Sequence, residues 1–299
     1  MARCRQAVLG VTVLVTGGTG QLASSLAARA PGEVTRVGRP RFDFDRPASI
    51  AETVRSVQPS LVVNAAAWTG VDAAETNADA AMRANRDGPA ALAALCRQAH
   101  IPLIHVSTDY VFDGGKGAPY VETDATNPTG VYGASKLAGE RAALDTWDRT
   151  VVLRTSWVYA AVGKNFVRTM LNAALKADTL RVVGDQKGCP TTADDLADAV
   201  LAIAARLRTE WRPEFAGVFH AAGEGWTTWH GLAVAAFQEA ARHGRPMPAV
   251  HAIATADWPT PARRPADSRL DCSKLADTFG VRMPPWRPSL ARTVDALLA

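Results

Sequence analysis

Tyr132 and Lys136 stand four residues apart in the run Tyr132-Gly133-Ala134-Ser135-Lys136. On a helix that spacing stacks the two side chains on one face. An ammonium beside a phenol favours the phenolate, so the pair predicts a tyrosine pKa lowered from its ordinary ~10 toward the working pH. Such a tyrosine can hand a proton to a carbonyl oxygen while hydride arrives at the carbon. Ser107-Thr108 lies upstream at the end of an apolar run, and Thr108 offers a hydroxyl to the same oxygen. A bare Tyr-x-x-x-Lys also describes many surface pairs. Its order here, after a glycine loop and a strand-ending Ser-Thr, favours chemistry.

The glycine loop is Thr16-Gly17-Gly18-Thr19-Gly20-Gln21-Leu22-Ala23, directly after the apolar run Val11 to Val15. Gly17 allows the tight turn, and Gly20 lets the backbone approach a pyrophosphate seated on a helix amino terminus. Ala23 stands where a third glycine often eases helix–strand packing; the bland alternative for the whole motif is a plain turn. After the second apolar run, an acid would bind the adenosine ribose hydroxyls of NAD. This chain has Gly38-Arg39 there, with Arg36 and Arg41 close by. Arginine is a planar donor fork suited to a 2′-phosphate, which favours NADPH and leaves NADH open. Asp43 and Phe44 fall in the next turn, placed to meet adenine. Asn64-Ala65-Ala66-Ala67 leaves room for a flat cofactor, or simply packs.

The elements that must position these residues alternate. Strands are expected at Val11 to Val15, Val34 to Val37, Leu61 to Asn64, Ile101 to Val106 and Val151 to Leu153. Helices are expected at Gln21 to Ala30, Pro47 to Val57, Ala78 to Ala99 with a break at Gly88-Pro89, and Val131 to Leu144. That alternation indicates an α/β fold, a doubly wound parallel sheet with helices on both faces. The second half is less regular: short strands at Leu180 to Val183 and Val218 to His220, and helices at Ala193 to Leu207, Trp229 to Arg242 and Leu290 to Leu298. It reads as a smaller α/β lobe closing over the sheet's carboxyl edge. Asp194-Asp195 are expected to cap a helix, and His105 and His220 to be satisfied buried histidines.

The chain has 299 residues, 47% hydrophobic and 21% charged, which suits one large domain or two joined lobes without disulfide or metal staples. A net charge of +4 is mild and fits a small anionic substrate. The basic spot at Arg263-Arg264, with Arg269 and Lys274, falls short of the stripe that nucleic acid binding needs. Cys4, Cys96, Cys189 and Cys272 form no C-x-x-C pair, so neither a zinc site nor a disulfide framework is expected, and a reducing cytoplasmic setting is. Arg3, Arg5 and the apolar run from Ala7 resemble a short signal peptide, but the glycine loop follows where a cleavage site would stand, so the strand reading is preferred. No apolar run approaches the ~20 residues of a membrane span.

At these motifs the chain resembles the extended short-chain dehydrogenase/reductases, and within them the dTDP-4-dehydrorhamnose reductase family. The matching blocks include Thr19-Gly20-Gln21-Leu22, Val63-Asn64-Ala65-Ala66-Ala67 with Thr69, Ser107-Thr108-Asp109-Tyr110-Val111-Phe112, Ser135-Lys136-Leu137-Ala138-Gly139-Glu140, Arg154-Thr155-Ser156-Trp157-Val158-Tyr159 and Pro259-Thr260-Pro261-Ala262-Arg263-Arg264-Pro265. The resemblance implies reduction of the C4 keto group of a dTDP-linked 4-keto-6-deoxy sugar. Tyr132 would donate the proton, Lys136 would tune it and hold the nicotinamide ribose, and Thr108 would bind the sugar and adjust Tyr132. Asp109, Trp157 and Arg263 (or Arg264) would contact the substrate. Gly17, Gly20, Gln21, Leu22, Arg39, Asp43, Phe44, Ala65, Ala66, Ala67, Trp68 and Thr69 would line the cofactor groove. Residues 1–163 with 192–222 would form the dinucleotide-binding domain, and 164–191 with 223–299 the nucleotide-sugar lobe. Some relatives dimerise through magnesium-bound glutamates; Ser25 stands at one such position, leaving Mg2+ and the choice of monomer or homodimer open. Another dTDP-4-keto-deoxysugar, or a non-catalytic NADP-binding regulatory role, are the alternative readings.

Overall fold

The computed structural model describes residues 12–299. The question of a leader around Arg3, Arg5 and Cys4 lies outside them, as does the first part of the apolar run. Within them the chain runs β1 (Val13–Thr16), α1 (Gln21–Arg29), β2 (Val34–Val37), α2 (Pro47–Val57), β3 (Leu61–Asn64), α3 (Val71–Ala74), α4 (Ala78–Met82), α5 (Gly88–Gln98), β4 (Leu103–Thr108), α6 (Val131–Thr146) and β5 (Thr150–Thr155). The second half follows as β6 (Val158–Tyr159), α7 (Phe166–Ala174), β7 (Thr179–Val183), β8 (Lys187–Gly188), β9 (Thr191–Thr192), α8 (Ala193–Thr209), β10 (Gly217–His220), β11 (Thr227–Thr228), α9 (Trp229–Ala241), β12 (Ala249–Ile253), α10 (Ser273–Phe279) and α11 (Trp286–Leu298).

Six strands form one parallel sheet in the order β10-β5-β4-β3-β1-β2. β1, β3 and β5 are buried along their whole length, as continuous apolar runs must be when helices cover both faces. One face packs Leu22 and Leu26 of α1 against Leu196, Val200 and Ile203 of α8. The other packs Ile50, Leu92 and Ala143 from α2, α5 and α6. The strand order reverses at β1 and β3, so a crevice opens beyond their carboxyl ends. Gly17, Gly38, Ala65 and Thr108 all stand at or just past strand ends on that edge.

The lobe is built from α7, α9 and α11 with three two-stranded pairs, β7 with β12, β8 with β11 and β6 with β9. The α10 helix packs elsewhere: Leu275 and Phe279 join the core beneath the main sheet, although 223–299 reads as lobe in sequence. The helices α7 and α10 and the strand β12 are not among the elements expected from the sequence. α7 is nine residues long and is capped by Asn165, whose side chain accepts from Arg168 N–H.

Most element ends shift by one or two residues from expectation, and three departures have a local reason. The long helix 78–99 is interrupted by a π turn over Arg83–Asp87, ahead of Gly88-Pro89. Pro89 has no N–H to offer the Asn85 carbonyl four residues back. That carbonyl instead lies against Gly139 of α6, where any Cβ would overlap it. The last helix starts at Trp286 rather than Leu290, with Pro285 at its cap. The cap of α8 is Thr192, whose hydroxyl accepts from Asp195 N–H at 2.9 Å. Asp194 and Asp195 lie in the first turn, where they suit the helix dipole and pair with Arg29 and Arg292.

His220 is fully buried at the end of β10. Its Nδ1 lies 3.1 Å from the carbonyl oxygens of Tyr120 and of Asp271, so Nδ1 carries the hydrogen. Nε2 is buried and has no partner, so a second proton would find no acceptor. Burial holds the imidazole down, at about 3. Below ~6.5 the unfolded histidine binds a proton that the folded one refuses, so stability falls as pH drops from ~6.5 toward 3. The contribution is at most about 1.4 kcal/mol per pH unit. In His220→Asn, whose amide can replace Nδ1–H but cannot titrate, the acid-side loss of melting temperature is expected to be shallower. An unchanged slope would place the titration elsewhere.

Candidate active site

The loop after β1 is fixed by contacts no side chain could share. Gly17 has φ +105°, and a Cβ there would sit 2.9 Å from the Ala65 carbonyl oxygen. Gly38, after β2, would place a Cβ 2.6 Å from Gly18 Cα. The missing acid at position 38 is therefore a packing requirement as well as a cofactor signal. Thr16 donates to Asn64 Oδ1 at 2.7 Å and accepts from Ala66 N–H, tying the two strand ends together. Asn64 Nδ2 donates in turn to His105 Nδ1, so His105 is satisfied at one nitrogen, while its buried Nε2 has no partner.

These loops enclose a groove of about 690 Å³. Gly17, Gly20, Arg39, Asp43, Phe44, Ala65, Ala66, Ala67, Trp68 and Thr69 line it together, with Arg36 in addition. Arg39 is exposed, and Arg36 donates to Ser24 on α1 at 2.8 Å. Gln21 and Leu22 do not line the groove. Leu22 turns into the core, and Gln21 accepts from Asn165 across the cleft at 3.1 Å. Only their backbone N–H groups, at the start of α1, face the direction a pyrophosphate would need.

α6 carries Tyr132, Lys136 and Glu140 one turn apart on one face. Glu140 is buried and paired with Arg154 of β5, Nη2 to Oε2 at 2.7 Å and Nε to Oε1 at 3.0 Å. Ser107 of β4 donates to the same carboxylate, and the Arg154 guanidinium lies over the Phe112 ring. Two residues that sequence reading missed complete the clamp. Glu75 accepts from Val131 N–H at 2.8 Å, at the amino terminus of α6. Asn85, buried in the π turn, holds Trp68 N–H and donates to Ser135 on α6. Both contacts join distant segments and leave no local pattern; a lone asparagine inside an alanine-rich helix is the only trace.

The Thr108 side chain acts on the Tyr132 phenol and pulls it down, against the larger effect of burial. Lys136 is buried, but its Nζ donates to the Val106 carbonyl at 2.6 Å. Burial pushes the Tyr132 phenol up to about 12, and the Asp109 charge adds to the rise. The expected lowering of this tyrosine is thus not seen, because the ammonium is committed to a carbonyl and desolvation penalises the phenolate. Burial pushes Lys136 down to about 8 against the pull of Glu140. The pair presents a protonated phenol across the neutral range, which is the form a proton donor needs.

Asp109 is 2% exposed, so its carboxylate stands behind Thr108 and not on a substrate surface. Trp157, held at φ +47°, stacks on Trp229 with ring centroids 3.5 Å apart. A second cavity of about 350 Å³ opens on the lobe side, lined by Trp229, Trp258, Arg181, Gln186, Asp72 and Arg264 among others. Arg264 faces that cavity and grips Asp72 with two bonds of 2.8 and 3.0 Å, holding the aspartate below its usual pKa. Arg263 points outward and is exposed, so of the two candidate arginines the structure puts Arg264 at the site.

Comparison with known proteins adds the following. Residues 11–299 match the family described as RmlD substrate binding domain. A dTDP-4-dehydrorhamnose reductase of Sinorhizobium fredii is 46% identical over 286 residues, covering 95% of this chain and 97% of that protein. The crystal structure of a dTDP-4-dehydrorhamnose reductase from Clostridium acetobutylicum superposes with TM-score 0.89 at 33% identity, covering 96% of this chain and all of that one. One from Bacillus anthracis, in complex with NADP, gives TM-score 0.86 at 29% identity over 94% of this chain and 98% of that one.

The Glu140–Arg154 pair gives the site a testable weak point. Arg154→Met strands a buried carboxylate and is expected to cost about 3–5 kcal/mol in urea unfolding. Adding Glu140→Gln should recover much of the loss, since the uncompensated charge is then gone. A single-variant cost below ~1 kcal/mol would show that the pair does not anchor α6.

Proposed function

We infer the function from one premise: the chain belongs to the RmlD substrate binding domain family. It is an NADPH-dependent reductase that converts the C4 keto group of dTDP-4-dehydro-L-rhamnose to the alcohol of dTDP-L-rhamnose. The observation that carries the reading is the half-buried Tyr132, with Lys136 buried one turn on along α6 and Thr108 acting on its phenol, at the edge of a dinucleotide-sized groove.

A dinucleotide fits the residues present. Gly17, Gly18, Thr19 and Gly20 line the groove, and α1 begins at the next residue, Gln21. Gly17, Gly20 and the backbone of Gln21 and Leu22 would hold the pyrophosphate. Arg39 and Arg36 would hold the 2′-phosphate, Asp43 and Phe44 the adenosine, and Ala65, Ala66, Ala67 and Thr69 the far half. Tyr132 and Lys136 would hold the nicotinamide ribose. When bound, NADPH supplies the hydride.

The rest falls to the chain's own side chains. Tyr132 gives its proton to the keto oxygen, and Thr108 fixes the phenol's direction. Trp157 walls the sugar. The lobe cavity offers Trp229 and Trp258 as flat surfaces for a base, with Arg181 and Arg264 as cations for a diphosphate. Holding both partners in place makes the reaction effectively intramolecular.

Purified protein supplied with NADPH and the keto-sugar, made in situ by the preceding enzymes, is expected to consume NADPH and release dTDP-L-rhamnose. Tyr132→Phe should still bind NADPH but lose at least ~10²-fold in kcat. Near-normal turnover in that variant would sink the mechanism. Oxidation only with a different keto-sugar would move the substrate within the same chemistry.

Cofactor preference rests on the two arginines. Changing Arg36 and Arg39 together to Ala should lower kcat/KM for NADPH by at least ~10²-fold, since hydrogen bonds to a charged group contribute ~1.5–3 kcal/mol each. The NADH value should change little. Equal losses with both cofactors would remove the 2′-phosphate assignment.

A further inference from the structure

Trp157 holds a backbone conformation, φ +47°, that residues with a Cβ rarely adopt. Two contacts keep its ring in place. The indole lies flat on Trp229, the first residue of α9, with centroids 3.5 Å apart and planes 6° from parallel. On β8, Gly188 leaves the space that the ring fills, since a Cβ there would stand 2.3 Å from Trp157 Cε2.

Trp229 is held in turn through its one polar atom. Its Nε1–H donates to Gln186 Oε1 at 3.1 Å. Gln186 Nε2 donates to the Thr255 hydroxyl at 3.0 Å, and that hydroxyl donates to Asp185 Oδ1 at 2.6 Å. Every direction in this chain is forced. An indole N–H can only donate and a carboxylate can only accept, so the amide between them must show its oxygen to Trp229 and its nitrogen to Thr255. The Thr255 backbone N–H donates to the other Asp185 oxygen at 2.8 Å. Asp185 and Thr255 stand just past the ends of the paired strands β7 and β12, so the chain is anchored on the lobe's own sheet. Phe166 also meets Trp229, at 4.7 Å and a tilt of 49°, a contact that packs the ring without fixing its rotation. Gln186 is 4% exposed. An apolar side chain could fill that place and need no partners. What the amide adds is a fixed orientation of one indole.

We propose that Gln186 is a positioning residue for the sugar subsite: through Trp229 it sets the plane of Trp157, the wall against which the keto-sugar is held. The proposal rests on the reductase reading above and deepens it. Gln186 also lines the nucleotide cavity, but each polar atom of its amide is already engaged inside the protein, so its task is to hold and not to read. The segment Asp185-Gln186-Lys187-Gly188 then shapes the wall twice. Gln186 fixes the ring on which Trp157 lies, and Gly188 clears the space beside it.

The test separates sugar from nucleotide. In Gln186→Leu the KM for the keto-sugar is expected to rise about 5-fold, the size of one lost neutral hydrogen bond, with the KM for NADPH unchanged. By calorimetry the affinity for dTDP-L-rhamnose should fall more than the affinity for dTDP. In a Trp157→Ala background the same change should cost no further sugar affinity, because Gln186 acts through that ring. Full-length protein labelled with 15N at the indoles shows whether the stack moves. The Trp157 N–H resonance, identified by its loss in Trp157→Phe, lies in the ring current of Trp229 and should shift toward the ordinary indole position in Gln186→Leu. A folded Gln186→Leu with an unshifted Trp157 resonance, or with equal losses for dTDP and dTDP-L-rhamnose, overturns the proposal. Should Gln186→Leu not fold, Thr255→Val, at an exposed position, removes the next link of the chain. The Trp157 resonance should then shift in the same direction by less, and an unmoved resonance would equally overturn the idea. If wild type reduces no keto-sugar at all, the functional reading fails, while the resonance still reports whether Gln186 sets the stack.

Discussion

Arg154 and Glu140 meet where sheet and helix face each other, with both side chains out of water. A buried charge pair is a poor source of stability, because desolvation roughly offsets the attraction. Its value here is directional. The planar guanidinium accepts only one approach of the carboxylate, and Ser107 adds a third constraint. That fixes the rotation of α6 about its own axis. Lys136 and Tyr132, one and two turns earlier, inherit their positions from it. Thr108 ends the same strand that carries Ser107, so both halves of the proton-donating pair are referenced to one ion pair.

The second requirement is close backbone contact. α6 lies against the π turn at Gly139, with no room for a side chain, and Asn85 reaches from that turn to both Trp68 and Ser135. The cofactor-side loop and the catalytic helix therefore share one polar anchor. Glu75 does the same at the helix's first residue. Proline's missing N–H, the π turn and the freed carbonyl are parts of one local solution, which loosens α5 slightly in order to bring two functional segments together.

Much of this was legible in the chain itself, and for identifiable reasons. Buried strands announce themselves as apolar runs, and β2, α2 and β3 fall where the residues place them. The glycine loop and the Tyr132–Lys136 spacing are local patterns with local causes. The misses are of another kind. Glu75 and Asn85 act across 56 and 50 residues of chain, a relation that no window of sequence contains. The direction of the Tyr132 shift depends on how much water the fold excludes and on where Lys136 points, both set by tertiary packing. Arg263 and Arg264 are adjacent and chemically identical, so only the backbone's direction in the 258–265 loop separates the one that faces the cavity from the one that faces solvent. Short elements such as α10 draw most of their order from the surface they cover.

The grip of Arg264 on Asp72 spans 192 positions and joins the far lobe to α3, just past the groove-lining Thr69. Such a contact is invisible to inheritance unless both ends travel together. A gene rearranged between relatives at any crossover from residue 72 to residue 264 would bring an aspartate from one parent to meet an arginine loop from the other. In this chain the stretch between the two ends of that hydrogen-bonded fork crosses both halves of the fold.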